Sequence, residues 1–378
     1  MRILFTRFPL ESRFGGAEVQ TMSLLRGLRA RKHAVAFLGS CETLLKLCWD
    51  EGILAAELSI GDPPVTRWSA VSFLWRKKRM QQQLCNAVQE FGPVDAIVML
   101  SLTEKLLLTP FARERGIRVY WMEHDGVGRW LTKNPWLPRL KELARFVITI
   151  TVSEMSRDLY RKLGWPAERV VAIPNGVDLR RCELPTTGDQ LPTQQDSGNS
   201  LGHTSILRIG TIARLTEDKG VDVLIEAVTD LPQVSLTIIG EGPEEGYLRK
   251  LMDERRLLDR VRIRPSVDDL GTFYASLDAF VLPSRSHDPF GLVAAEAMML
   301  GIPTIVTDQC GIAGHLQAGQ EALVVAADSA EELKSAIREM EQHDRRTALA
   351  HTGKRAARER FSLERMVDAY EKILTTER

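Results

Sequence analysis

The sequence predicts an α/β protein of two doubly wound domains, each built on a parallel sheet. Three observations lead there. The chain has 378 residues, too many for one ordinary domain and suited to two. In each half, short apolar runs alternate with longer amphipathic stretches, the pattern of parallel strands covered on both faces by helices. Between the halves lies ELPTTGDQLPTQQDSGNSLGHTS (183–205), rich in Pro, Gly, Ser, Thr and Gln and poor in apolar residues. It reads as a linker, or as a loop just past a hinge. The expected domains are residues 1–182 and 206–360.

In order along the first half, RILFT (2–6), AVAFL (34–38), DAIVML (95–100), RVYWM (118–122) and FVITIT (146–151) read as buried strands. Helical patterns such as AEVQTMSLLRGLRARK (17–32) fall between most of them. The second half repeats the scheme with ILRIGTI (206–212), VSLTIIG (234–240), RVRIR (260–264), DAFVLP (278–283), PTIVT (303–307) and ALVVA (322–326). FSLERMVDAYEKILTTER closes the chain as an amphipathic helix, expected over 361–376, with Phe361, Met366, Tyr370 and Leu374 on one face.

The apolar share is 44% and the charged share 26%, as in ordinary globular proteins. Formal net charge is zero, yet residues 1–182 carry 28 Lys and Arg against 18 Asp and Glu, so the remainder is acidic by the same margin. Such a split fits either a basic face for an anionic partner or surface drift between domains. Zero net charge and no recognised module argue against nucleic-acid binding. The five cysteines are scattered without metal-ligand spacing, as expected of free thiols in a reducing cytoplasm. The start MRILFTRFPL reads as a strand rather than a secretory leader, and no apolar run reaches membrane-spanning length.

Candidate chemistry sits where parallel strands deliver ligands, at their carboxyl ends. FGGAE (14–18) places Gly15 and Gly16 before a helix start, either as a close approach for an anion or as a plain turn and cap. WMEHDG (121–126) puts His124 just past a strand, as a hydrogen-bond donor or base or as a structural residue. In IGTIARLTEDKG (209–220), Arg214 and Lys219 are two cations that could clamp a diphosphate. IIGEGP (238–243) offers Gly242, for ligand approach or for a tight turn.

PSRSHDPFGLVAAEAMMLGIPTIV (283–306) is the most telling stretch. A loop carrying Asp288 runs through Pro-Phe-Gly into a helix expected to start near Leu292. The amides of Phe290, Gly291 and Leu292 would then face an anion. Glu296 follows one turn in; a carboxylate there suits hydroxyls, such as those of a ribose, and Asp288 at the mouth could accept from sugar hydroxyls. Phosphate at the helix start and a diol at the acid describe a nucleotide sugar.

Taken together, GGAE, EHD (123–125), VSEMSRDLY (152–160), IPNGVD (173–178), ARLTEDKG, IIGEGP, DPFGLVAAEAMMLGIPTIVT and RFSLERMVDAYEKIL resemble the retaining glycosyltransferases of family four, the glycosyl transferases group 1 set. The resemblance covers nearly the whole chain. It implies the GT-B fold, two Rossmann-like domains facing each other across a cleft, with a hinge near Asn175–Asp178 and the last helix returning to the first domain. It also implies a nucleotide-sugar donor, a UDP- or GDP-sugar, held by Arg214 and Lys219 at the diphosphate. Glu296 would bind the ribose, and Asp288 with the amides of Phe290, Gly291 and Leu292 would take the sugar and phosphates. His124 would contact the sugar, and Gly16 would lie under the diphosphate. No metal and no other cofactor is implied. Transfer would proceed with retention, to a glycan or lipid-linked acceptor, in surface polysaccharide or glycolipid assembly.

Two positions depart from the family pattern. Asp288 stands where the first of two glutamates is usual, one methylene shorter. RIRPSV (262–267) stands where a Phe-Leu-Gly turn commonly receives the base, leaving uridine and guanosine both open. In the first half, FLWRKKRMQQQL (73–84) reads either as an ordinary amphipathic surface helix or as a peripheral contact with an anionic membrane on its cytoplasmic face. Two other functions fit the same donor site: a nucleotide-sugar epimerase, which needs no acceptor, and a non-catalytic nucleotide-sugar-binding subunit.

Overall fold

The computed structural model describes residues 1–9, 15–124, 126–182, 206–267 and 269–376. The expected linker 183–205, Phe14 of FGGAE and Asp125 of WMEHDG lie outside them. The chain forms two compact units, Met1–Gly176 with Leu363–Arg378, and Val177–Ser362. The division falls before residue 182. Val177 donates its amide to Phe361 O at 2.8 Å, and Cys182 is buried within the second unit. The polar stretch from 183 marks where the apolar pattern stops, not where the chain changes units.

In the first unit the elements run β1 (Arg2–Arg7), α1 (Gly16–Ala30), β2 (Ala34–Gly39), α2 (Glu42–Asp50), β3 (Leu54–Glu57), α3 (Arg67–Glu90), β4 (Ala96–Met99), α4 (Leu102–Glu114), β5 (Arg118–Glu123), α5 (Arg129–Thr132), α6 (Leu137–Ala144), β6 (Ile148–Thr151), α7 (Glu154–Lys162) and β7 (Val170–Ala172). The sheet is parallel, ordered β3-β2-β1-β4-β5-β6-β7. Alternation along the strands divides the core in two. Ile3, Phe5, Phe37 and Val98 pack toward α1 and α2, whereas Leu4, Leu38, Ile97 and Met99 pack toward α3 and α4. Sequence periodicity passed over β3 and β7. Both are short edge strands, LAAE and VVA, whose incomplete burial weakens the apolar signal.

The second unit contains β8 (Leu207–Ile212), α8 (Val221–Val228), β9 (Val234–Ile239), α9 (Glu245–Glu254), β10 (Val261–Arg264), α10 (Leu270–Ala275), β11 (Ala279–Leu282), α11 (Leu292–Leu300), β12 (Thr304–Thr307), β13 (Leu323–Val325), α12 (Ala330–Glu339) and α13 (His343–Arg360). Its parallel sheet is ordered β10-β9-β8-β11-β12-β13. Leu236, Ile238, Val281 and Ile305 pack against α8, α9 and α12.

The last helix, α14 (Leu363–Thr375), belongs to the first unit. Met366, Val367, Tyr370 and Leu374 join the core beside Met22, Leu25 and Leu28 of α1. Phe361 is not part of this helix, contrary to the expected face. It caps α13, is fully buried in the second unit, and packs edge-on to Phe290 at 5.4 Å. Phe73 is likewise a core residue of α3, edge-on to Trp136 at 5.0 Å, and so does not belong to an exposed apolar face. Among the described residues no helix is long and apolar enough to cross a membrane.

Candidate functional site

Both sheets place their first strand between the second and the fourth, so the winding direction reverses between β1 and β4 and again between β8 and β11. In open α/β sheets that reversal opens a crevice at the carboxyl ends of the strands, and ligands bind there. In the second unit the flanking loops are 213–220 after β8 and 283–291 after β11. They are tied together: the amides of Arg285 and Ser286 both donate to Asp218 O, at 2.9 and 3.3 Å.

This seam joins two predicted site residues. Lys219 Nζ lies 2.8 Å from Asp288 Oδ2, which also accepts from Ser284 Oγ at 3.2 Å. Asp288 Oδ1 accepts from the Phe290 amide at 3.3 Å. Main-chain bonds to Gln309 O (2.9 Å) and from Gly311 (2.8 Å) fix the Asp288 backbone. Burial opposes charge on this carboxyl, but the Lys219 ammonium and the two other donors outweigh it and hold the group below the usual carboxylate range. Two expectations are corrected here. Asp288 is not an open acceptor at the mouth; it is 9% exposed and engaged by three donors. The Phe290 amide serves Asp288, while the Phe290 ring is buried against Phe361. The shorter acid thus sets the position of Lys219.

Gly291 begins α11 with φ +93°, a left-handed conformation, and a Cβ there would meet Leu282 Cδ2 at 2.9 Å. The Gly291 and Leu292 amides have no acceptor among the described residues, leaving orphan donors at a helix N-terminus. One turn on, Glu296 is buried, and its Oε2 accepts from the Tyr274 hydroxyl at 3.0 Å. Tyr274 also lies 3.2 Å from Val293 O. Nothing in the sequence pairs Tyr274 with Glu296, because the two stand on different helices with β11 between them. Arg214 is exposed, and its guanidinium has no partner among the described residues.

Gly242 has a different explanation from ligand approach. A Cβ there would meet Leu215 O at 2.2 Å, and Leu215 exchanges main-chain bonds with Glu241 and Glu244. Its missing side chain serves close packing of two loops. Beside it, a hollow of about 460 Å³ is lined by Thr216, Asp222, Tyr247 and Arg285. Arg285 is held there by Asp222 (2.6 Å) and Asp328 (2.7 Å).

The other candidates belong to the first unit. Gly15 is the N-cap of α1 in extended conformation, and a Cβ on Gly16 would meet nothing within 4 Å. Glu18, one turn in, is buried and pairs with Arg7 at 2.6 Å. His124 directly follows β5 and is half-buried. The residue before it is locked: Glu123 takes Lys105 Nζ at 2.8 Å and the Tyr160 hydroxyl at 2.8 Å. Tyr160 ends the VSEMSRDLY motif, which had no assigned role from sequence. Among the described residues no cluster of three or more His, Cys, Asp or Glu is placed to hold a metal ion.

Comparison with known proteins agrees with this layout. Residues 14–181 match the family described as Glycosyltransferase Family 4, and residues 203–360 match Glycosyl transferases group 1. The lipopolysaccharide core biosynthesis glycosyltransferase LpsE of Rhizobium meliloti is 35% identical over 44% of this chain and 49% of its own. The putative glycosyltransferase EpsF of Bacillus subtilis is 25% identical over 78% of this chain and 76% of its own. The match with LpsE, and with LpsD of the same organism at 58%, spans about half the length of those relatives. Among solved structures, Anabaena HepE in complex with UDP superposes with a TM-score of 0.81 at 20% identity, over 99% of this chain and 100% of its own. That likeness is one of fold, and the fold is GT-B.

Proposed function

The chain belongs to the group 1 glycosyltransferases, and from that premise we propose that it transfers a sugar from a nucleotide-sugar donor to a glycan acceptor in the assembly of a surface polysaccharide. The observation that carries the reading is the group at the β8–β11 reversal: the Lys219–Asp288 pair, exposed Arg214, the free amides of Gly291 and Leu292, and buried Glu296. Cations and helix-start amides suit a diphosphate. A buried carboxylate one turn behind suits a diol, which can donate to it where a phosphate would repel it.

In this reading Arg214, Lys219 and the amides neutralise the departing diphosphate. The bond from the anomeric carbon to the β-phosphate oxygen breaks through an oxocarbenium-like state. The acceptor oxygen bonds to the same face of that carbon, and its proton passes to the leaving phosphate oxygen, giving retention. Catalysis is then mainly electrostatic and positional. With the diphosphate charge met by side chains and amides, we expect activity to persist in a chelator. The names of LpsE and of the putative colanic acid glycosyltransferase WcaL of Escherichia coli support the setting in surface glycans. HepE has been solved with UDP and with UDP-glucose, which supports the donor class.

The test is a thermal-shift titration with UDP, GDP and ADP. A nucleotide at a hundred times its dissociation constant stabilises by about 2.7 kcal/mol. We expect one nucleotide to raise the melting temperature selectively and Glu296→Ala to abolish the shift. No shift with any of the three overturns the donor site. Incubation with donor alone then separates transfer from epimerisation, which would convert the sugar without an acceptor.

A further inference from the structure

We propose that the outward face of α3 docks the protein on an anionic lipid bilayer. Trp68 is 86% exposed, Trp75 77%, Leu74 52% and Val71 48%. At 100° per residue these four fall within one sector of the helix, together with exposed Lys78 and Arg79. The opposite side is a core face that buries Ala70, Phe73, Met80, Leu84 and Val88. The exposure is therefore built into a well-held element. Thr66 and Ser69 form a reciprocal capping box at its start, and Trp136 Nε1 donates to Ala70 O at 3.0 Å.

Charge selects the occupant. Between Thr66 and Gln89 the helix carries no carboxylate; Glu90 is its sole acid, at the far end. Two of its cations are spent within the fold: Arg76 bonds the carbonyls of Asp62 and Ser69, and Lys77 lies over the Trp136 ring at 5.3 Å. Lys78 and Arg79 have no partner among the described residues. Unpaired cations beside tryptophans on a convex helix face match the boundary between anionic headgroups and acyl chains, where indoles settle and each basic residue adds attraction. A protein partner would favour the aromatics but not exposed lysine. The sequence suggests Phe73, Leu74 and Trp75 as the apolar part; the structure keeps Leu74 and Trp75 on the outward face, buries Phe73 in the core and adds Trp68 and Val71.

The experiment is flotation of the full chain with vesicles of phosphatidylcholine alone or mixed with phosphatidylglycerol, at low and high salt. Binding to the mixed vesicles alone, weakened by salt, is expected. Trp68→Ser with Trp75→Ser should lower it about tenfold or more, and Lys78→Glu with Arg79→Glu should remove the preference for anionic lipid. All four positions are exposed, so the melting temperature should hold in both variants. Lack of binding at low salt overturns the proposal, as does binding that neither variant changes. So does self-association in solution that both variants abolish, which would make the face a contact between copies of the chain.

Discussion

Lys219 and Asp288 are 69 positions apart in the chain and 2.8 Å apart in space. Neither has much access to water, so each depends on the other. Removing one member of a buried pair leaves an uncompensated charge and costs roughly 3–5 kcal/mol. Lys219→Ala is thus expected to lower stability by about that much, and Lys219→Ala with Asp288→Asn to recover most of it without recovering transfer. Denaturant melts and turnover of the same variants check this; equal stability of the single and double variants would count against the coupling. The sign of the pH effect follows from the depressed carboxyl. The contribution of Asp288 is present above the usual aspartate range and is lost as pH falls through the lower folded value. Both residues were legible as candidates because each follows a strand end in a phosphate-friendly loop. Their pairing was not legible, since it depends on β8 and β11 being neighbours in the sheet. Tyr274 went unread for the same reason.

At the scale of the element, helix starts do most of the work. α11 begins with a left-handed glycine and offers amides outward; DPFG announced it. α4 begins with a reciprocal box in which Glu104 Oε1 accepts from the Ser101 amide at 2.6 Å. That box buries Glu104 completely, and its Oε2 has no partner among the described residues. Burial pushes the Glu104 carboxyl up to about 8. Between the unfolded value near 4.5 and the folded value near 8, the native state keeps a proton that the unfolded chain has lost. Stability then falls as pH rises through this window, by at most about 1.4 kcal/mol per pH unit. Glu104→Gln retains the acceptor and removes the titration. The variant should match the parent at pH 5 and exceed it at pH 9 in denaturant melts; parallel pH profiles would refute the assignment. A capping pattern could be read from SLTE, but its burial could not.

For the whole molecule, the chain returns to its beginning. α14 closes the first unit after the second has been completed. Tyr120 donates to Ile373 O at 3.1 Å, Arg118 to Leu374 O at 2.6 Å, and Arg31 pairs with Glu371 at 2.8 Å. Deleting residues 363–378 removes four large buried side chains, at about 1.5–3 kcal/mol each. The truncated chain should melt earlier and expose the first unit to proteolysis; an unchanged melting curve would mean that α14 is dispensable. Sequence alone determined the class of the fold, the strand ends where the candidate residues gather and the amphipathic character of the last helix. Those are local properties, written in apolar period and in turn residues. Only the tertiary structure decided that Asp288 is spent on Lys219, that Gly242 serves packing, that Phe361 supports Phe290, and that Trp68 and Trp75 face outward. Each of these depends on which elements the sheet order makes neighbours, and a one-dimensional pattern does not specify distance between residues far apart in the chain.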